Sequence, residues 1–442
     1  MAALWPALAS ASGPTPSGPT PSPAAASSPT TVEVIKVEGA IDRPLLRYVE
    51  SRLAAAEQEH AVVVLQLNTS GTLGQDGVAL GNQLVGLRVP VLTWTGSAPA
   101  MASGAGLLLM YAASLATVSP GSQTGPLNPV DLTHPDAVPP GLGVTIQGWL
   151  AARHRTGVDT TAAATAGIDG QQANEAKIAA LGSVVSVPDL LNKADGMTVW
   201  TAAGPVTLHT HVATSQADAQ NGTVNIRFGN LGLIARVLHG VSSPSMIYFL
   251  LVVGLACLAF EITQPGFGFA GFAGIGMLAL AVYGLTVVPV NWLGLLLIVG
   301  GVGLMVLDVR IRNLGVLTGI GLLAFAAGSW LAWRGLAEPM QISPWLVGGA
   351  IVASLLYYGF GLTVALQSRD RIVTAQRGLI GLVGEARGKL APDGPVYVKG
   401  AVWRGRTEGE SIAQGAKVRV RGVDGLVLKV EAEPAGGEDV GT

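Results

Sequence analysis

Five long apolar runs in the second half of the chain constrain its fold more than any other feature. They cover residues 246–262, 269–287, 292–307, 314–333 and 345–366. A helix needs about 17–25 predominantly apolar residues to cross a bilayer, and several of these runs reach that length. Tryptophans lie near the ends of several runs, where aromatic side chains favour the membrane–water interface. The sequence therefore predicts an integral membrane protein of the plasma membrane, with four or five spans.

The basic residues beside these runs predict the orientation in the membrane. Five arginines follow the third and the fifth run: Arg310, Arg312, Arg369, Arg371 and Arg377. If all five runs cross, both groups lie on one side, and positively charged loops mark the cytoplasmic side. The region before the first run is then extracytoplasmic, and the region after the last is cytoplasmic. Arg334, next to Glu338, falls on the outer side and departs from the rule, so four spans with one re-entrant run is the alternative.

Charge and cysteine content argue against several classes of function. Charged residues make up 12% of the chain and the net charge is −2, which gives no basis for nucleic-acid binding. The single cysteine, Cys257, lies in an apolar run and suits a small packing residue. His209 and His211 are spaced to share one strand face, but the sequence offers no third zinc ligand. We therefore expect neither a metal nor a cofactor.

The beginning of the chain is expected to lie outside any folded domain. Residues 1–12 are apolar and end in Ala9-Ser10-Ala11, which fits the A-x-A pattern of a signal-peptide cleavage site. A secretory signal also has a basic start and a longer apolar core, which this segment lacks. A shortened signal peptide and a disordered tail therefore both stay open. Residues 13–30, rich in Pro, Ser, Thr and Ala, are predicted to form a flexible linker.

Residues 32–114 alternate between strand and helix patterns. Strand patterns cover 32–37, 61–67 and 89–94, and helical spacing covers 44–60, 77–87 and 102–114. This alternation predicts βαβ units and a mostly parallel sheet. Sites in such sheets lie at the carboxyl ends of the strands. The loops 68–73 and 96–106 are therefore the candidate functional loops.

Residues 378–432 have the pattern of a small β domain. Short apolar segments separated by Gly and Asp turns occur at 384–387, 395–398, 401–403, 417–420 and 426–430. About five strands in so short a segment predict an OB-like barrel. Tyr397 and Trp403 are the aromatic side chains of these strands, with mixed charge around them. This favours contacts with protein or membrane over contacts with nucleic acid.

Four motifs in the first domain carry a family resemblance: LNTSGTL at 67–73, VPVLTW at 89–94, ASGAG at 102–106 and SPGSQTGPLNPV at 119–130. They resemble the NfeD family of membrane-bound ClpP-class serine proteases, and the likeness continues to residue 432. It implies an α/β ClpP/crotonase-like domain, an all-α transmembrane bundle and a small all-β OB-like barrel. The implied boundaries are 1–30 for a signal remnant or linker, 31–215 for the protease-like domain, 240–367 for the transmembrane domain, 375–433 for the barrel and 434–442 for a disordered tail.

The resemblance also implies a serine-protease site, against which this chain can be compared. In the family a serine at a helix N-terminus is the nucleophile, a later lysine is its base, and backbone N–H groups hold the oxyanion. The family loop LDTPGGL corresponds to residues 67–73, where Gly71 matches the first glycine and Thr72 replaces the second. The family's AASAGTY corresponds to 102–107. If the downstream PGSQTG is aligned without a gap, Gly104 falls at the nucleophile position and Ser103 one residue early, whereas a one-residue shift in the loop would restore Ser103 to that position. Ser103 is thus the candidate nucleophile, with Gly71, Thr72 and Gly104 as candidate oxyanion residues.

The base is the third departure from the family pattern. Residues 131–149 should supply the lysine but contain neither lysine nor arginine. His134 is the one alternative base there, and a loop histidine next to proline is more often a solvated side chain. Lys177 and Lys193 match later elements of the fold. A lysine can act as a base only where burial lowers its pKa toward neutrality.

Two functional hypotheses follow, and the sequence leaves enzymatic activity open between them. One is a catalytically impaired protease fold that serves as a membrane scaffold for the stomatin/SPFH-type partners that the resemblance implies. The other is an active membrane-bound serine endopeptidase that cleaves apolar segments of membrane proteins. An acyl-CoA enzyme of the crotonase type is disfavoured by the membrane anchor and the external placement. ClpP-like domains generally oligomerise, so a homo-oligomer is expected.

Two acidic residues lie at the ends of apolar runs. Glu261 begins a segment that matches the family's E-x-x-x-PGFG feature. Carboxylates at membrane depth are costly and often functional. We nevertheless expect Glu261 to satisfy backbone N–H groups of the following turn, and Asp308 to pair with Arg310 or Arg312.

Overall fold

A computed structural model describes residues 30–213, 224–263, 268–311, 315–361 and 378–433 of the chain. The chain folds as two units, Met1–Gly232 and Leu233–Thr442. The predicted leader and tail lie outside the described residues. So do four of the arginines used for orientation, namely Arg312, Arg369, Arg371 and Arg377.

The first unit is an α/β domain. Its strands are β1 (Thr30–Glu38), β2 (Val62–Asn68), β3 (Val91–Thr95), β4 (Met101–Ala102), β5 (Leu115–Val118), β6 (Gln123–Thr124), β7 (Ile168–Asp169), β8 (Thr198–Thr201), β9 (Gly204–Thr207) and β10 (Val224–Phe228). Its helices are α1 (Arg43–Gln58), α2 (Gly77–Gly86), α3 (Ala105–Ala112), α4 (Leu142–Ala152), α5 (Gly170–Glu175) and α6 (Val187–Ala194). The main sheet has the order β10-β1-β2-β3-β5 and all its strand pairs are parallel. The predicted parallel sheet is confirmed.

Strand β2 shows why the sequences of the central strands are continuous apolar runs. Val63 and Leu65 face one core, which they share with α1 to α4. Val62 and Val64 face a second core, which they share with α6 and the β8–β9 hairpin. Successive side chains of a strand point to opposite faces. A strand covered on both sides must therefore be apolar at nearly every position.

The second unit begins with apolar helices. They are α7 (Leu233–Val241), α8 (Pro244–Thr263), α9 (Phe269–Val287), α10 (Trp292–Ile311), α11 (Val316–Ala332) and α12 (Pro344–Leu356), with a 3-10 turn at Glu338–Met340 and a π-helical turn at Tyr357–Gly361. Four helical segments are long and apolar enough to cross a membrane: Pro244–Thr263, Phe269–Val287, Trp292–Ile311 and Glu338–Phe360. Helix α11 has 17 residues and is shorter. The predicted integral membrane protein is confirmed.

Helices α8–α9 and α10–α11 form two hairpins of the same design. A Cβ atom placed on Gly274 would lie 2.9 Å from the carbonyl oxygen of Gly254, and one on Gly321 would lie 2.5 Å from that of Gly301. The second pair lies 47 positions after the first, from 254 to 301 and from 274 to 321. Glycines at these sites let the two backbones of each hairpin approach closely, which is a main route to helix packing in membranes.

The carboxylates at the ends of α8 and α10 repeat with the same spacing. Glu261 accepts a hydrogen bond from the backbone N–H of Gly271 at 3.3 Å. Asp308 accepts one from the N–H of Thr318 at 3.0 Å and another from its hydroxyl at 2.6 Å. Each carboxylate thus satisfies an otherwise unpaired donor at the start of the following helix. Glu261 thus bonds to the first turn of α9, whereas most of the turn to which it was expected to bond lies outside the described residues. Among the described residues Asp308 forms no ion pair with Arg310, which donates to the carbonyl of Ile262 at 2.8 Å, and the alternative partner Arg312 lies outside them.

The chain ends in a closed barrel. Its strands are β11 (Val383–Ala386), β12 (Asp393–Val398), β13 (Ala401–Arg406), β14 (Lys417–Asp424) and β15 (Val427–Ala432), in the order β11-β12-β13-β15-β14. Its core includes Val396, Val418 and Leu428, each with no exposed surface. The predicted five-stranded OB-like barrel is confirmed.

Candidate functional site

The two candidate loops meet at the carboxyl edge of the parallel sheet. The backbone N–H of Thr69, just beyond β2, donates to the carbonyl of Met101 at 2.7 Å. The N–H of Ser103 returns a bond to the carbonyl of Thr69 at 3.0 Å. This short ladder carries the chain directly into the buried helix α3. The structure thus brings Ser103 and Gly104 next to the loop that contains Gly71 and Thr72.

Gly104 is the N-cap residue of α3 and its backbone is held in a conformation that favours glycine. Its φ is +53° and its ψ is −119°, a region in which residues with a side chain are strained. A Cβ atom on Gly104 would lie 2.2 Å from the carbonyl oxygen of Pro129 and 3.0 Å from that of Ser70. Both atoms belong to the backbone, so neither can move aside cheaply. Position 104 is therefore closed to any side chain.

Ser103 lies one residue before the helix cap and is almost fully buried, with 5% of its surface exposed. Its carbonyl accepts a bond from the N–H of Gly106 at 2.8 Å. Within the described residues, no side chain hydrogen-bonds to its hydroxyl. A serine hydroxyl becomes a good nucleophile only when a base can take its proton. Ser103 has no such partner in this arrangement.

A segment that we call the strap, residues 129–132, covers the site. The N–H of Thr72 donates to the carbonyl of Val130 at 2.9 Å, and the N–H of Leu132 donates to the carbonyl of Thr72 at 2.9 Å. The strap thus pairs with the Thr72 loop as a short parallel bridge. An oxyanion needs N–H donors that are free when the reaction occurs. The N–H of Thr72 is already bonded to the strap.

Gly71 is closed by the same segment. Its φ is +145°, and a Cβ atom on it would lie 2.9 Å from the carbonyl oxygen of Val130 and 3.3 Å from that of Pro129. The N–H of Gly71 faces the Thr69 hydroxyl at 3.5 Å, which is at the outer limit for a hydrogen bond. The strap carbonyls therefore pack directly on both glycines of the site.

Asp131 anchors the strap. Its carboxylate accepts hydrogen bonds from the N–H of Gly74 at 3.0 Å and from the N–H of Thr133 at 3.0 Å. Partial burial acts to raise the pKa of Asp131, but these bonds to the charged form outweigh it and hold the pKa below its usual range. The carboxylate is therefore ionised at neutral pH and ties the strap to the turn after Leu73.

None of the predicted alternatives supplies a base. The His134 side chain is 74% exposed, and its Nδ1 contacts the Thr133 hydroxyl at 2.9 Å and Asp131 at 3.4 Å. Lys193 bonds to Asp189 at 3.1 Å and to the carbonyl of Ser183. None of these contacts involves Ser103. Among the described residues, no group of three or more His, Cys, Asp or Glu side chains is placed to hold a metal ion.

Two arginines that sequence reasoning missed complete the site's framework. Arg153 donates to the carbonyls of Ala112 at 3.0 Å and Trp200 at 2.9 Å, and Arg155 donates to that of Met110 at 2.6 Å. Burial lowers the pKa of both guanidinium groups to about 10, so both stay charged at neutral pH. They satisfy carbonyls at the end of α3 that the helix leaves unpaired. Their sequence context, the end of an apolar helix followed by a turn, gave no signal of this role.

Replacing Gly104 with alanine should lower the stability of the first unit. The left-handed backbone alone costs about 1–3 kcal/mol for a residue with a side chain, and contact with the Pro129 carbonyl adds to that cost. Thermal unfolding of the purified protein, followed by near-UV circular dichroism, would measure it. The matched control is Gly148→Ala in α4, where a Cβ atom would meet nothing within 4 Å. Equal melting temperatures for both variants would contradict the close packing of the strap.

The chain was compared with family models, curated proteins and solved structures. Residues 245–363 match the model of the NfeD integral membrane domain, and residues 376–431 match that of the NfeD-like C-terminal, partner-binding domain. The membrane-bound protease PH1510 of Pyrococcus horikoshii is 23% identical over 428 residues, which is 92% of this chain and 95% of that protein.

Solved structures similar to parts of the chain include domains from two organisms. A 1510-N membrane protease specific for a stomatin homolog, from Pyrococcus horikoshii, is 17% identical and covers 48% of this chain and 99% of that one, with a TM-score of 0.39. The C-terminal domain of the stomatin operon partner protein 1510-C, from the same organism, is 39% identical over 13% of this chain and 92% of that one, with a TM-score of 0.13. A soluble domain from Corynebacterium glutamicum is 27% identical over 13% of this chain and 94% of that one, with a TM-score of 0.12. The sequence matches to NfeD domain models thus cover the membrane region and the barrel of this chain.

Proposed function

We propose that this protein is a membrane-anchored scaffold of the NfeD family whose protease-like domain does not cleave peptides. The observation that carries the proposal is the contact of the Pro129 carbonyl with Gly104. At the position where the family places its nucleophile, this chain has no side chain and no room for one. The proposed activity is binding, with a stomatin/SPFH-type membrane protein as the partner.

The chemistry around Ser103 supports this proposal. Acyl transfer needs a nucleophile, a base and preorganised donors for the oxyanion together. Ser103 is buried without a base, the N–H of Thr72 is bonded to the strap, and the exposed His134 is solvated. Each departure alone would reduce the rate. Together they remove all three requirements from one site.

The barrel is the proposed binding module. The family model that matches it describes a partner-binding domain, and the names of similar proteins refer to stomatin. Tyr397 on β12 and Val402 on β13 lie directly opposite each other and are 37% and 64% exposed. Exposed aromatic and aliphatic side chains on neighbouring strands are suited to protein contacts. We propose this pair as the centre of the partner surface.

An active serine endopeptidase is the second candidate. It is favoured by the position of Ser103 beside a helix start, on the edge of the sheet where α/β domains place their sites. The relative PH1510 is a membrane-bound protease. Activity would require the strap to leave and a base to arrive from outside the described residues or from a second copy of the chain.

We further propose five membrane passes, with the protease-like domain extracytoplasmic and the barrel cytoplasmic. The contact of Arg310 with the carbonyl of Ile262 joins the carboxyl ends of α8 and α10 on one side. The N–H of Asn291 donates to the carbonyl of Ala332 at 3.0 Å, which joins the start of α10 to the end of α11 on the other. Both contacts support alternating helices. A homo-oligomer remains the expected assembly.

A fluorophosphonate probe should not label the detergent-purified, full-length protein. An active serine hydrolase added to the same sample verifies that the probe works, and near-UV circular dichroism verifies that the protein is folded. The Ser103→Ala variant should behave identically, because Ser103 lacks a base. Labelling that disappears in Ser103→Ala would overturn the scaffold proposal, and a His134→Ala variant would then test the remaining candidate base.

Co-expression with a stomatin/SPFH-type protein tests the binding role. The Val402→Glu variant should recover several-fold less partner on affinity purification, because a charge would be buried in the interface. Leu426→Glu is the matched control, since Leu426 is 75% exposed at the turn between β14 and β15. Equal recovery from wild type and Val402→Glu would rule out this surface.

The orientation can be measured with single cysteines in a Cys257→Ser background. A membrane-impermeant maleimide added to intact cells should label Ala202→Cys in the protease-like domain. It should label Lys389→Cys in the barrel only after the cells are permeabilised. The reverse pattern, or labelling of both cysteines in intact cells, would contradict the proposed orientation.

A further inference from the structure

A cavity of about 550 Å³ lies between the carboxyl end of α11 and the first half of α12. Trp333 and Arg334 line it from the end of α11, and Gln341 lines it from the connection between the helices. Val347 and Ile351 line it from α12. The cavity therefore has a polar end, at the level where α11 leaves the apolar zone, and an apolar wall along α12.

The polar end contains the cation Arg334. Arg334 is exposed, and among the described residues no carboxylate lies within ion-pair distance of it. In particular, the neighbouring Glu338 makes no ion pair with it, although the sequence puts the two only four positions apart. A guanidinium group is a strong, planar donor that suits phosphate oxygens. The side-chain amide of Gln341 adds a second donor to the same end.

The surroundings indicate that the cavity opens to lipid. Trp330 lines it, and Trp345 directly follows the lining residue Pro344 in the chain. The two tryptophans are 71% and 89% exposed, as expected of aromatic side chains at the membrane interface. Helix α12 also packs more loosely than the two hairpins. A Cβ atom on Gly348, which lines the cavity, or on Gly349 would meet nothing within 4 Å. The hairpin glycines Gly301 and Gly321, in contrast, touch opposing backbone.

We propose that this cavity binds one phospholipid molecule. Its phosphate lies against Arg334 and Gln341, and one acyl chain runs along Val347 and Ile351. Charge complementarity at one end and apolar complementarity at the other fit an amphiphile of this kind. The proposal also gives a reason for Arg334, which departs from the positive-inside rule in the loop between the fourth and fifth runs. It rests on the proposed orientation only in assigning the lipid to the outer leaflet, and is independent of the catalytic state.

Native mass spectrometry of the detergent-purified, full-length protein with added phosphatidylglycerol tests the site. We expect one retained lipid per chain, and about tenfold weaker binding in Arg334→Gln, because one charge-assisted hydrogen bond is lost. Arg334→Lys should retain most of the binding. Lys389→Gln is the charge-matched control, since it removes an exposed cation of the barrel and should leave binding unchanged.

The apolar wall is tested separately. Ile351→Trp should fill the cavity and abolish retention of the lipid. Ile320→Trp should leave retention unchanged, because Ile320 in α11 is 51% exposed. Binding that survives both Arg334→Gln and Ile351→Trp would overturn the proposal. Displacement of the bound lipid by millimolar inorganic phosphate would also overturn it, because the site would then be one for a soluble anion. A mass shift that corresponds to a second protein chain in place of lipid would assign the cavity to an interface.

Discussion

The close approach of the Pro129 carbonyl to Gly104 fixes the geometry of the candidate site. It exists because Gly104 has no side chain and because its left-handed backbone turns the chain into α3 at that point. Once the carbonyl occupies this space, Thr72 can pair with Val130 and close the edge of the sheet. A serine at position 104 would have to displace backbone atoms. A single residue choice therefore couples the absence of a side chain at position 104 to the packing of residues 129–132 over the candidate site.

Helix α3 must be fixed at both ends because it lies entirely inside the domain. All eight of its residues are buried, and its terminal backbone groups cannot bond to water. The N–H of Gly104 donates to the carbonyl of Pro126 at 2.8 Å, and Arg153 and Arg155 bind carbonyls at the other end. An unpaired buried group costs about 1–3 kcal/mol, so these contacts are part of the fold itself. They also fix both ends of α3 beside the candidate site.

Sequence patterns predicted the parts of this structure that depend on local composition. The central strands β2 and β3 are covered on both faces and are therefore continuous apolar runs. The membrane spans are apolar runs too, and they are longer than the strands. The strap was not predicted, because residues 129–132 carry no strand pattern and pair with a loop 58 positions away, as the bond between Thr72 and Val130 shows. The buried arginines were missed for the same reason. Their charges are satisfied by carbonyls, which no pattern of side chains records.

The membrane helices show how a repeated hairpin can leave a fifth helix less constrained. In α8–α9 and α10–α11, glycines bring two backbones together, and the carboxylates of Glu261 and Asp308 bond to the start of the next helix. The glycine contacts and the carboxylate bonds both pair each helix with its immediate neighbour. The surfaces that allow close packing are therefore buried within each hairpin. Helix α12 follows without a hairpin partner, and Gly348 meets no opposing backbone. In a bilayer no hydrophobic effect drives the remaining helix faces together. Lipid therefore fills a groove beside α12 at little cost. In the proposed site, Arg334 at the end of this groove selects a lipid that carries a phosphate group.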